Sequence, residues 1–163
     1  MTEDRKKIFA TSATLSDRKK AMNSAVRILT KRDHSKYELK QKLHQRGFAS
    51  KVIDTVIAEC ERLDYINDLR TAHLYILQLK RKCFGRRYVR MALKKKRLSG
   101  AVAENLLLKN YPEADERENA GKILEKKRQT FERKEDKKKS REKMIRFLTS
   151  RGFSKDIIRD LVK

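Results

Sequence analysis

The side chains able to do chemistry in this chain are few, and their spacing excludes most of it. His34, His44 and His73 do not fall four apart on one helix, and Cys60 and Cys83 form no Cys-x-x-Cys, so no zinc-binding pattern is present. The sequence shows no nucleophile with its base, no paired carboxylates and no glycine-rich phosphate loop. Asp33, Glu38, Asp64 and Asp68 stand near helix starts and turns, where capping accounts for them better than acid–base work. Cys60 continues the apolar face of Ile53, Val56 and Ile57 and reads as a buried filler. A protein with no catalytic residue, no metal and no cofactor, and hence not an enzyme, is expected.

Charge is the feature that remains. Lys and Arg number 44 against 22 Asp and Glu, a formal charge of +22, which calls for an anionic partner. Between Lys80 and Arg97 lie ten cations and no carboxylate: Lys80, Arg81, Lys82, Arg86, Arg87, Arg90, Lys94, Lys95, Lys96 and Arg97. Arg86, Arg90, Lys94 and Arg97 recur at intervals of four, four and three, opposed to an inward stripe through Val89 and Leu93. One helix face is expected to hold the fold while the other presents a cationic ridge. Like charges at this spacing weaken a helix by a few tenths of a kcal/mol each, and a bound polyanion would explain why they are tolerated. Phe84 and Tyr88 lie in the same segment, with core packing the expected use and base stacking the alternative. A second basic region, from Lys122 to Arg146, mixes twelve cations with five anions and reads as an exposed helix or connection.

The elements that must position these charges are helices. One proline, five glycines and no tryptophan leave too little turn chemistry for a sandwich or barrel. The apolar set Leu39, Leu43, Phe48, Val52, Ile53, Val56 and Ile57 describes one helix face, a break, and a second face. It returns 50 residues later as Val89, Leu93, Leu98, Val102, Ala103, Leu106 and Leu107, and 55 later still as Met144, Leu148, Phe153, Ile157, Ile158, Leu161 and Val162. Ser35, Gly85 and Ser140 occupy one position in the three copies and are expected to begin the middle helix; Ser35 with Glu38 makes a capping box. Gly47 and Gly152 are expected to end that helix in left-handed turns, while Arg97 in the second copy leaves room for a different turn.

An earlier helix precedes each pair: Ala25, Val26 and Leu29; then Ala72, Tyr75, Ile76 and Leu79; then Ala120, Ile123, Leu124, Lys127 and Phe131. The expected fold is all-α, three tandem three-helix units in an elongated, curved array, over residues 21–63, 64–110 and 111–163 after a basic tail at 1–20. No apolar run is long enough to cross a bilayer and no secretory h-region follows the N-terminus, so a cytoplasmic protein with reduced thiols is expected.

Several of these residues carry a likeness. Ala25-Val26-Arg27-Ile28-Leu29, followed by Arg32-Asp33-His34-Ser35-x-x-Glu38-Leu39-x-x-Lys42-Leu43, resembles the opening of the RecX family of bacterial regulators of the RecA recombinase. Tyr65-Ile66-Asn67-Asp68-x-Arg70-x-Ala72, Phe84-Gly85-x-Arg87-x-Val89-x-x-x-Leu93 and Arg146-Phe147-Leu148-x-x-x-Gly152-Phe153 continue the resemblance through about residue 162. Asp64, Thr71, Cys83 and Arg97 depart from it, standing where that family usually has glycine, an aromatic, glycine and glycine. The resemblance implies a non-enzymatic modulator, chiefly an inhibitor, that lies along the RecA filament on single-stranded DNA and restrains its growth, ATP hydrolysis and strand exchange. The implied partners are the recombinase and single-stranded, and also duplex, DNA; no membrane is involved, and a monomer is expected. The alternative from charge alone is a free-standing, sequence-nonspecific nucleic-acid-binding helical protein.

Overall fold

In the computed structural model the backbone is described for residues 3–132 and 136–162, and side chains for 15–128, 130–131 and 136–162. The described residues form nine helices and no strand: α1 (Glu3–Leu29), α2 (Lys36–His44), α3 (Ser50–Arg62), α4 (Asp68–Arg81), α5 (Arg86–Lys95), α6 (Ala101–Asn110), α7 (Glu113–Glu132), α8 (Lys137–Ser150) and α9 (Lys155–Leu161). The all-α repeat architecture is thus the one the apolar pattern predicts. Helix α1 takes in most of the segment 1–20; within it residues 15–20 are exposed, and residues 1–2 lie outside the described ones.

The chain divides into two compact units, Met1–Thr71 and Ala72–Lys163. In the first, Ala21, Ala25 and Ile28 of α1 pack with Leu39, Leu43, Ile53, Val56, Cys60 and Ile66. The buried edge of α1 therefore runs 21, 25, 28, whereas Val26, expected inside, is 37% exposed. Ser35 and Glu38 close the capping box, and Asp68 accepts a hydrogen bond from the Lys36 amide at 2.8 Å, adding a carboxylate at the positive end of α2. Thr71, one of the departures from the family pattern, is buried and donates its hydroxyl to the His34 carbonyl at 3.4 Å.

The second unit holds two clusters. One joins Ala72, Ile76, Leu79, Val89, Leu93, Leu98, Leu107 and Tyr111; the other joins Ala120, Leu124, Met144, Leu148, Phe153, Ile157, Ile158 and Val162. Two positions of the repeat pattern differ from expectation. Val102 is 61% exposed, because the turn before α6 leaves it on the solvent side while Leu107 fills the core. Ser140 does not start a helix: α8 begins a turn earlier at Lys137, and the buried Ser140 hydroxyl bonds the Phe131 carbonyl at 2.9 Å.

Five helices end alike. After α2, α3, α4, α5 and α8 the chain passes through positive φ at Gly47 (82°), Asp64 (52°), Cys83 (53°), Arg97 (58°) and Gly152 (80°). Each amide at that residue bonds three back and the next amide bonds five back, as in Cys83 to Lys80 and Phe84 to Leu79. These are Schellman closures, and the following residue is apolar each time: Phe48, Tyr65, Phe84, Leu98 and Phe153. The turn at Arg97 has the same geometry as the glycine turns.

Candidate nucleic-acid interface

Helix α5 carries the core of the basic segment, and its start is held from outside. Gly85 caps it with no side chain to offer. Instead the Gly85 amide donates to the Arg151 carbonyl at 2.9 Å, the Arg87 amide to the Gly152 carbonyl at 3.2 Å, and the Arg86 amide to a Glu116 carboxylate oxygen at 2.9 Å. The α8–α9 turn and α7 thus satisfy the orphan amides of α5. Contact is so close that a Cβ on Gly85 would lie 2.3 Å from the Gly152 oxygen, and one on Gly152 would lie 2.4 Å from the Tyr88 nitrogen.

This docking divides the expected ridge. Val89 and Leu93 face inward as predicted. Arg86 does not face solvent: its side chain is only 17% exposed, and its Nε meets the buried Glu116 carboxylate at 2.5 Å, with Glu113 at 3.4 Å beyond. Arg90 is paired by both oxygens of Glu104 at 2.6–2.9 Å, which holds that carboxyl below the usual glutamate range and the guanidinium more firmly protonated. Lys80 bonds Asp115 at 2.5 Å and the Asn110 carbonyl at 3.0 Å, over the Tyr111 ring. Burial pushes the Tyr111 phenol up to about 12, so it stays neutral and accepts a hydrogen bond from the Asn119 amide. Lys96 lies over the Tyr75 ring at 4.7 Å, and Arg97 occupies the left-handed turn.

Arg81, Lys82, Arg87, Lys94 and Lys95 remain exposed, with no ion pair among the described residues. On α5 the outward stripe is Arg87, Met91 and Lys94, flanked by Arg90 and Lys95; Met91 is 59% exposed. The stripe is thus rotated from the one through Arg86. Phe84 and Tyr88 stack on each other, ring centres 4.0 Å apart, and the Arg151 guanidinium covers Phe84 at 4.7 Å, so these rings serve packing. Sequence reasoning missed Glu104, Glu113, Asp115, Glu116 and Arg151. The one signal that could have found the α7 carboxylates is their place in an acidic run just after Pro112, a pattern that suits a helix start, but nothing local shows that it meets α5.

A cationic surface beside an exposed apolar side chain can meet phosphates or acidic protein surface. Among the described residues there is no cluster of three side chains fit to hold a metal, and no helix long and apolar enough to cross a membrane. Two family models match the chain, the first three-helix domain of RecX over residues 21–60 and the third over residues 114–162. The regulatory protein RecX of Vibrio vulnificus (strain CMCP6) is 38% identical over 137 residues, covering 84% of this chain and 87% of that protein. That of Legionella pneumophila (strain Corby) is 36% identical over 88% of this chain and 93% of its own length.

The chain belongs to the RecX family.

Its fold agrees with that of RecX from Lactobacillus salivarius, with a TM-score of 0.77 over 91% of this chain and 96% of the other at 24% identity. The relatives are regulatory proteins by name, and membership places this chain among such regulators. Asp64, Cys83 and Arg97, the positions where the resemblance leads one to expect glycine, adopt the left-handed backbone that glycine takes most readily.

Proposed function

We propose that this chain restrains a RecA recombinase, lying along the filament on single-stranded DNA and slowing its growth, ATP hydrolysis and strand exchange. It acts as a cytoplasmic monomer by occupying and bridging the filament, without chemistry or cofactor. The observation that carries the reading is the unmatched outward charge of Arg87, Lys94 and Lys95 on a RecX-family helix pinned at its start by a neighbouring turn. Arg81 and Lys82 extend it.

The test reverses charge only where the fold does not use it. Arg87→Glu, Lys94→Glu and Lys95→Glu together should abolish inhibition of RecA ATPase on single-stranded DNA with helical content unchanged, whereas undiminished inhibition rejects the assignment. Arg86 and Arg90 are left intact because their ion pairs belong to the fold. The net charge of +22 also favours a second reading, nonspecific nucleic-acid binding indifferent to the recombinase. That reading expects affinity to fall roughly 10³- to 10⁵-fold between about 50 and 200 mM salt, if about six to ten phosphates are neutralised, and to be unchanged by RecA.

A further inference from the structure

The first unit holds a second concentration of cations, distant in sequence from α5. Where α1 ends and α2 runs past it, a cavity of about 210 Å³ is lined by Arg27, Lys31, Arg32, His34, Lys42 and Arg46, with no carboxylate on its wall. The two sides of α2 differ in how their charge is handled. Lys36 and Lys40 meet carboxylates of α3, Glu61 at 2.9 Å and Asp54 at 2.6 Å. On the cavity side Arg32 reaches Glu38 at 3.3 Å, but among the described residues Arg27, Lys31, Lys42 and Arg46 have no ion pair. Part of the wall is already fixed: the Arg46 guanidinium donates to the Ser24 carbonyl at 3.4 Å, and His34 is buried with Nδ1 2.8 Å from the Arg32 carbonyl. A carbonyl only accepts, so Nδ1 carries the proton and the free lone pair belongs to Nε2.

We infer that this cavity is a seat for one phosphate group. Four unmatched cations line a hollow smaller than the roughly 300–1,000 Å³ of ordinary cofactor pockets, which suits a single oxyanion better than a whole nucleotide. Guanidinium and ammonium donors match phosphoryl oxygens, and an anion there would relieve the mutual repulsion of the wall. Burial and the neighbouring Arg32 and Lys42 charges hold His34 below the usual histidine range, so its ring is a sensitive reporter of an arriving anion. The phosphate could be a phosphodiester of a nucleic-acid backbone or a free phosphate ion. The inference stands apart from any action on a recombinase, because it concerns the first unit alone.

The experiment titrates the full chain with inorganic phosphate at constant ionic strength while the His34 ring resonance, assigned by loss in His34→Gln, is followed by NMR. A saturable shift that chloride does not produce is expected. Lys42→Gln with Arg46→Gln should weaken it about tenfold, as two partly solvated cations allow, while the charge-matched control Lys19→Gln with Lys51→Gln should leave it unchanged. A thymidine oligonucleotide with blocked ends then separates the sources: if it moves the same resonance and phosphate competes with it, the seat takes backbone phosphodiesters; if phosphate alone binds, it takes the free ion. A linear shift shared with chloride, or equal losses in the cavity and control variants, overturns the inference.

Discussion

Arg97 holds a backbone angle of 58° that an L-residue with a Cβ adopts at a cost of about 1–2 kcal/mol. Glycine would remove that cost and return part of it through the greater freedom of the unfolded chain. Arg97→Gly should therefore stabilise the second unit by about 0.5–1 kcal/mol, raising the melting temperature by roughly 1–4 °C for a chain of this size. Arg97→Ala serves as the control, since it deletes the side chain yet keeps the Cβ. Equal melting temperatures for the two variants would show that the turn carries no such strain. The same reasoning explains how three non-glycine residues keep these turns: just beyond them Ile66, Phe84 and Leu98 pack into the core, and anchoring of that kind offsets a strained angle.

Among the helices, α5 shows where sequence alone succeeds and where it stops. Its inward stripe was legible because Val89 and Leu93 repeat a spacing seen at Leu39 and Leu43 and again at Met144 and Leu148. Its outward face was not, because which cation is solvated depends on carboxylates 14 to 30 residues away in sequence. Arg86 looks no different from Arg87 in one dimension. In the fold Arg86 faces a glutamate that is 2% exposed, whereas Arg87 faces water. Removing one partner of a buried pair leaves an uncompensated charge and costs about 3–5 kcal/mol. Arg86→Gln should accordingly destabilise the chain by an amount near that range in urea unfolding, and Arg87→Gln by less than about 0.5 kcal/mol. A similar cost for both would mean that Arg86 and Glu116 are not paired in solution. The positions of α1 and Ser140 teach the same lesson on a smaller scale. Val26 and Ser140 each have the right chemistry for the place expected of them, but a helix that begins a turn earlier, or turns its edge by one residue, changes which side chain meets the core.

Over the whole molecule the charge is uneven: residues 1–71 carry 16 cations and 10 anions, residues 72–163 carry 28 and 12. Most of the repulsion therefore sits in the second unit, which also holds the buried Arg86–Glu116 pair that salt screens least. Two salt effects then oppose each other. Chloride shortens the Debye length from about 10 Å at about 0.1 M to about 3 Å at about 1 M, weakening repulsion among exposed like charges and exposed ion pairs alike. Exposed pairs contribute only about 0–1 kcal/mol each, and the uncompensated charges outnumber them, so the loss of repulsion dominates. The melting temperature of the free chain should rise by several degrees across that range, while its affinity for single-stranded DNA falls in the same titration with a logarithmic slope of about −0.7 per phosphate engaged. The Arg87, Lys94 and Lys95 triple reversal lowers the net charge by six, so its melting temperature should respond less steeply to chloride than that of the parent. A parent chain whose melting temperature falls with chloride would mean that surface ion pairs, not self-repulsion, set its stability, and would remove the electrostatic ground for expecting a polyanion to be drawn to this surface.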